Sequence, residues 1–364
     1  MNDAELLLGR ALDLARRGTG TTSPNPMVGA LVVRDGEVIA EAFHRRAGEE
    51  HAEETALRLA GERARGADLY VTLEPCAHHG RRPPCTDAIL RAGVRRLVAC
   101  IQDPNPLVDG RGFARLREAG LEVRWGVLET AARRLNEAYL KWIVRGLPFV
   151  SLKVAATLDG RIADPRGGSR WITGEPAREA VQQLRFAADA VLIGIGTALA
   201  DDSSLGVRPP APPKSILKVV LDSRLRLPVG ARLLERSAGD RVRVYTIPGA
   251  DRARQRALRD AGAEVVEVEP RAEKPDLGAV LADLGKAGVL HVLCEGGGAV
   301  FSAFLEAGLA DKLHLFLAPR LLGGAARGWS DDLKIERMER ALRWRDTTER
   351  RVGEDVWVEA YFDA

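Results

Sequence analysis

Over the first eighteen residues, apolar side chains recur three and four positions apart. Leu7, Leu8, Ala11, Leu12 and Ala15 fall on one face, with acids early and arginines late. This predicts an amphipathic helix, and Asn2 or Asp3 is placed to cap it. The period then shortens. MVGALVVRDGEVIAEAFH is two apolar runs joined at Asp35-Gly36, a pair that favours the tight turn of a hairpin. A helix is expected from about His51, and a buried strand in ADLYVTLEP. CTDAILRAG reads as a short helix stopped by Gly93, and VRRLVACI as another strand. GFARLREAG and LEVRWGV repeat the alternation, and LNEAYLKWIVRGLPFV closes it. A boundary at Gly146 is therefore expected, dividing the chain into residues 1–146 and 147–364.

A second series opens with FVSLKVAATLDGRIA. It runs through DAVLIGIGTALADD, the proline-containing loop VRPPAPPKS, LKVVLDSRLRLP, RVRVYTI and AEVVEV. GVLHVLCEGGGAVFSAFLEAG then reads as strand, glycine turn and helix, before DKLHLFLAPRLLGG and VWVEAYF. Helices alternating with apolar strands predict an α/β fold, with its sheets covered on both faces.

Composition narrows the function classes. At 364 residues the chain exceeds the common single-domain size, and 46% hydrophobic with 29% charged residues is an ordinary globular balance. A net charge of +3 is too mild to call for nucleic acid. Arginine far outnumbers lysine among the 54 basic residues, which suits phosphate contacts without requiring them. No apolar run approaches membrane-spanning length, and the first helix does not read as a signal peptide. A cytoplasmic protein with no membrane partner is expected. Cys100 and Cys294 lie in apolar, strand-like runs and read as buried thiols rather than disulfide partners.

The other two cysteines gather with histidines. HAEETAL begins at His51, and EPCAHHGRRPPC runs from Glu74 to Cys85. Thiolate and imidazole are zinc ligands, and a catalytic zinc keeps a position open for water; His51, Cys76 and Cys85 supply three ligands. Thiolates near the start of the following helix gain from its dipole. Zinc brings the pKa of its water towards about 7. Glu53, two residues past His51, is placed to take that water's proton and pass it to a leaving amine. The pattern is the H-x-E…P-C-x-x-C signature of zinc deaminases, with eight residues instead of two between the cysteines. A closed structural site with His78 or His79 as fourth ligand, and metal-free buried residues, are the competing readings, although a closed site needs no adjacent acid.

Taken together, TSPNPMVGALVV, HAEETAL, EPCAHHGRRPPC and DPNPLVDGRG closely resemble the deaminase half of the bifunctional deaminase–reductases of riboflavin biosynthesis. SLKVAATLDGRIA, SRWITG, VLIGIGTALADD and CEGGG resemble the reductase half, in the same order, so the resemblance spans essentially the whole chain. Arg82 departs from it, standing where Thr is usual. The resemblance implies a cytidine-deaminase-like three-layer domain followed by a dihydrofolate-reductase-like α/β domain. It further implies one zinc in the first domain, NADPH in the second, and a homo-oligomer. The implied substrate is a phosphoribosylated diaminopyrimidinone, deaminated and then reduced in its ribose.

At matching positions the resemblance implies His51, Cys76 and Cys85 as zinc ligands, Glu53 as proton shuttle, Asn25 as a pyrimidine contact and His44 as a weaker substrate contact. For Asn25 a plain rigid turn is the alternative. In the second half Ala155, Trp171, Thr197, Asp201, Ser223, Gly297, Gly298 and Ala299 are implied cofactor contacts. Ser169, Arg185, Leu205, Arg208 and Glu295 are implied substrate contacts. CEGGG ends a strand and opens a helix whose free N–H groups suit phosphate, while the glycines equally suit close packing. Arg185 and Arg208 suit the ribose phosphate, or are solvated charges. Lys153 lies between apolar strand residues, where it can meet Glu295 and orient the sugar, or serve as a structural ion pair. Two other functions stay open. One is a zinc deaminase acting on RNA, which an aromatic content of 5% disfavours. The other is a relative whose second half binds nucleotide without reducing anything.

Overall fold

The computed structural model describes residues 3–79, 83–212, 214–235 and 239–362; Asn2 and Arg82 lie outside them. The chain divides into two compact units, Met1–Gly146 and Leu147–Ala364.

In the first unit the helix Asp3–Arg16 buries Leu8, Ala11, Leu12, Leu14 and Ala15, the face set by the three-and-four spacing. Strands Gly29–Arg34 and Glu37–Phe43 pair antiparallel around Asp35 and Gly36. The φ values of these two residues, 52° and 83°, are those of a turn that needs left-handed backbone at both central positions. The five-stranded sheet runs in space Glu37–Phe43, Gly29–Arg34, Asp68–Leu73, Arg96–Ile101, Glu122–Trp125. Its last three strands are parallel. Asp68–Leu73 is buried along its whole length, as a strand covered on both faces must be. Helices Asp3–Arg16 and Glu129–Leu135 pack together, and Ala52–Ala60, Cys85–Ala92 and Arg111–Glu118 form a second group. The result is a three-layer unit.

The second unit is built on a sheet of nine strands among the described residues. Their spatial order is Ala263–Glu267, Arg241–Thr246, Leu217–Leu221, Ala190–Gly194, His291–Gly296, Phe149–Thr157, Lys312–Ala318, Asp355–Phe362, Trp344–Val352. The first seven are parallel and the last two antiparallel. Alternate residues of one strand feed opposite cores. Ala190 and Leu192 join Val219, Val292 and Phe304, while Val191 and Ile193 join Val220, Leu233 and Leu258. Cys100 and Cys294 are free and fully buried, as their apolar surroundings predicted. The hydrophobic pattern did not reveal Trp344–Val352, whose residues are almost all exposed. It is a polar edge strand held by Asp355–Phe362.

The carboxyl ends of Phe149–Thr157, Ala190–Gly194 and His291–Gly296 open onto a cavity of about 1080 Å³. Open α/β sheets bind ligands at this end of their strands.

Candidate active sites

In the first unit His51 is the N-cap of the helix Ala52–Ala60, which puts Glu53 in the first turn, 4% exposed. Cys85 opens the helix Cys85–Ala92, and its backbone N–H donates to Cys76 Sγ at 3.3 Å. His51 Nδ1 lies 3.1 Å from Cys85 Sγ and 3.8 Å from Cys76 Sγ. All three donor atoms fall within 4.8 Å of one another. Hydrogen bonds from the Cys85 thiol and His51 hold Cys76 well below the usual thiol range. The same contact and burial push Cys85 upward. One imidazole and two thiols at this spacing are a zinc donor set. Neither His78 nor His79 belongs to the group, which disfavours the closed structural site. Burial raises Glu53 to about 7.

His44 and Asn25 meet beside this cluster. His44 Nδ1 donates to the Glu50 carbonyl at 3.0 Å, which leaves Nε2 as an acceptor for the Asn25 amide, also at 3.0 Å. Asn25 therefore keeps its Oδ1 and one N–H for a ring edge. Burial lowers the pKa of His44, in keeping with this neutral tautomer.

In the second unit the parallel register sets Cys294 opposite Leu152, so Glu295 lies beside Lys153. Lys153 Nζ is 3.0 Å from Glu295 Oε2. Arg185, on the helix Glu175–Ala187, donates through Nε to Glu295 Oε1 at 2.5 Å and through Nη2 to Oε2 at 3.0 Å. Its Nη1 donates to the Gly206 carbonyl. The expected phosphate anchor is thus a clamp on Glu295. Arg208 lines the same cavity, among the described residues shows no carboxylate partner, and remains suited to phosphate. Arg232, which no sequence motif pointed to, lines the cavity too, near enough to Arg208 to lower its pKa together with burial and Arg185.

Thr197 and Asp201 reach the cavity from the helix Ile195–Asp201, and Asp201 accepts from the Ser169 hydroxyl at 3.3 Å. Gly297, Gly298 and Ala299 line it at the start of the helix Gly298–Glu306, and Ala155 does so from its strand. Trp171 lies at the cavity, 60% exposed, with Arg178 stacked 4.7 Å from its ring. Two of the expected contacts do not line this cavity. Leu205 is 3% exposed and packs in an apolar core, and Ser223 is not among the lining residues; its carbonyl accepts from Thr246. Their places in a motif gave chain position but not side-chain direction.

Fold and sites together define a zinc-dependent deaminase unit followed by a reductase unit. Residues 1–101 match the cytidine and deoxycytidylate deaminase zinc-binding region, and residues 148–358 match the RibD C-terminal domain. The chain is 41% identical over 364 residues to riboflavin biosynthesis protein RibD of Escherichia coli, covering 97% of each chain. It is 40% identical over 349 residues to the Aquifex aeolicus RibD, covering 96% of this chain and 95% of that one. The solved structure of Acinetobacter baumannii RibD superposes with a TM-score of 0.90 at 40% identity, covering 100% of this chain and 99% of that one. A diaminohydroxyphosphoribosylaminopyrimidine deaminase/5-amino-6-(5-phosphoribosylamino)uracil reductase from Thermotoga maritima superposes at 0.85, with 35% identity and 99% of each chain covered.

The chain belongs to the RibD family of bifunctional deaminase–reductases of riboflavin biosynthesis. That full-length match does not favour the RNA-acting and nucleotide-binding-only readings. No helix among the described residues is long and apolar enough to cross a membrane.

Proposed function

We propose that residues 1–146 deaminate the phosphoribosylated diaminopyrimidinone and residues 147–364 reduce the ribosyl group of the product to ribityl. The observation that carries this reading is the pairing of a His51–Cys76–Cys85 cluster against buried Glu53 with a separate cavity floored by Lys153 and Glu295. His51, Cys76 and Cys85 would hold zinc, which supplies a Lewis acid that makes water a nucleophile near neutral pH. Asn25, fixed by His44, reads the ring edge. Glu53 takes a proton from the attacking water and returns it to the departing amine, so a C–O bond replaces a C–N bond and ammonia leaves.

In the second half Ala155, Trp171, Thr197, Asp201 and the 297–299 turn would hold NADPH, and Arg208 is placed to take the substrate phosphate. NADPH supplies the hydride. Lys153 is placed to orient the opened sugar and to supply the accompanying proton. Glu295 fixes Lys153, and Arg185 fixes Glu295. The same resemblance supports a cytoplasmic homo-oligomer, which sedimentation of the purified chain tests. The functional reading is tested by supplying the diaminopyrimidinone substrate and following ammonia release and NADPH oxidation in sequence. A fragment beginning at Leu147 should oxidise NADPH with the already deaminated compound alone. Absence of either reaction from the intact chain removes the corresponding half.

A further inference from the structure

We propose that Asn136 and Tyr139 are positioning residues of the deaminase site, bracing from behind the two proline-flanked loops that frame it. The proposal rests on the reading of Asn25 as a pyrimidine contact.

Asn136 is 2% exposed, at the joint between helices Glu129–Leu135 and Glu137–Arg145. Its Oδ1 accepts the Met27 N–H at 2.8 Å and its Nδ2 donates to the Met27 carbonyl at 2.9 Å. A single amide thus pairs with both backbone groups of one residue, as a neighbouring strand would. Met27 lies one residue beyond Pro26. Pro24 and Pro26 fix φ on either side of Asn25, and Asn25 N–H donates to the Thr22 carbonyl at 2.8 Å. With Met27 clasped, Asn25 has little backbone freedom left.

Three residues on, the buried Tyr139 hydroxyl lies 3.1 and 3.2 Å from the two oxygens of Asp103 and donates to that carboxylate. Asp103 begins DPNPLVDGRG, the motif to which the deaminase reading gave no role. Its N–H donates to Glu74 Oε2 at 3.1 Å, and Glu74 also accepts from Gly110 at 3.0 Å and Phe113 at 3.1 Å. The loop is so close to the zinc-ligand segment that a Cβ on Gly112 would lie 2.0 Å from the Pro75 carbonyl oxygen. Glu74 and Pro75 directly precede Cys76. Asn136 caps the helix Glu137–Arg145 and Tyr139 lies in its first turn, so this one helix start holds the Asn25 loop through Asn136 and the Cys76 side through Tyr139. Both residues lie beyond the zinc-binding region matched at 1–101.

The test uses the full chain and the diaminopyrimidinone substrate. Asn136→Ala should raise the KM for ammonia release about tenfold, the scale of two lost hydrogen bonds. Zinc content, kcat and NADPH oxidation with the deaminated compound should stay near wild type. Tyr139→Phe keeps the ring and should raise the same KM by a smaller factor. An unchanged KM in Tyr139→Phe together with an unchanged KM or failure to fold in Asn136→Ala overturns the proposal. In Asn136→Ala, which touches only the Asn25 loop, a fall of zinc content and kcat with no rise in KM likewise overturns it, since that marks general support of the fold. A wild-type chain that releases no ammonia from this substrate removes the functional reading itself, and the proposal with it.

Discussion

Lys153 Nζ lies 3.0 Å from Glu295 Oε2 on the floor of the reductase cavity, with side-chain exposures of 15% and 6%. Arg185 grips the same carboxylate through both its oxygens. A single acid facing two cations leaves the floor with surplus positive charge beside a ligand-sized space. Burial of such a group is costly unless each charge is matched, and the mismatch is tolerable where an electron-rich ligand completes it.

Replacing Lys153 by Met keeps the strand and the apolar stem while removing the ammonium. Glu295 retains Arg185, so the unit should fold. Reduction is expected to fall by orders of magnitude, with ammonia release intact and deaminated, unreduced product accumulating. Normal NADPH oxidation in this variant would leave Lys153 a structural ion-pair partner.

Glu295→Gln has a different expected signature, because it strands two buried cations. Loss of one member of a buried network costs about 3–5 kcal/mol, to be read as a lowered denaturation midpoint of the reductase unit. Burial alone would raise the Glu295 carboxyl, but Arg185 and then Lys153 outweigh it and hold it far below the ordinary range. A depressed folded-state pKa stabilises the fold above the unfolded value of about 4.3, and that contribution drains away as pH falls below it. Wild type should therefore lose stability on acidification below about pH 4 more steeply than Glu295→Gln does. Parallel slopes would contradict the coupling.

Glu53→Ala should retain stoichiometric zinc and lose ammonia release, since the three ligands remain. Cys85→Ser should lose both, and chelation should stop deamination while sparing NADPH oxidation with the deaminated compound. Metal analysis beside both assays separates these cases. Near-normal ammonia release from zinc-loaded Glu53→Ala would take Glu53 out of the mechanism.

Arg208→Gln should raise the KM for the deaminated substrate by roughly 10- to 100-fold, the scale of charge-assisted contacts, with little change in NADPH affinity. Arg185→Gln should instead resemble Glu295→Gln in lowering stability. If Arg208→Gln leaves KM unchanged, the phosphate lies elsewhere in the cavity.

Much of this was legible from local pattern. Hairpin, amphipathic helices and alternating strands follow from periods of two and three to four, and the His51–Cys76–Cys85 group follows from residue type and spacing. What stayed hidden depends on partners distant in the chain. Nothing near Arg185 says that its guanidinium is spent on a residue 110 positions away. Asn136 and Tyr139 sit in an ordinary amphipathic run, and their meaning lies in Met27 and Asp103. The strand Trp344–Val352 escaped because a polar edge needs no apolar face, only a neighbour to pair with.

The four cysteines are unequal in a way that makes the protein its own gauge. Cys100 and Cys294 have no exposed surface, and burial pushes each thiol to about 12, so an alkylating reagent should pass them by in the native state. Cys85 is 3% exposed, and only Cys76 is partly open. Counting modified thiols in native protein therefore reads the state of a single sulfur. Zinc held by His51, Cys76 and Cys85 should mask that sulfur and chelation should unmask it, so the count is expected to report metal occupancy without any assay of turnover.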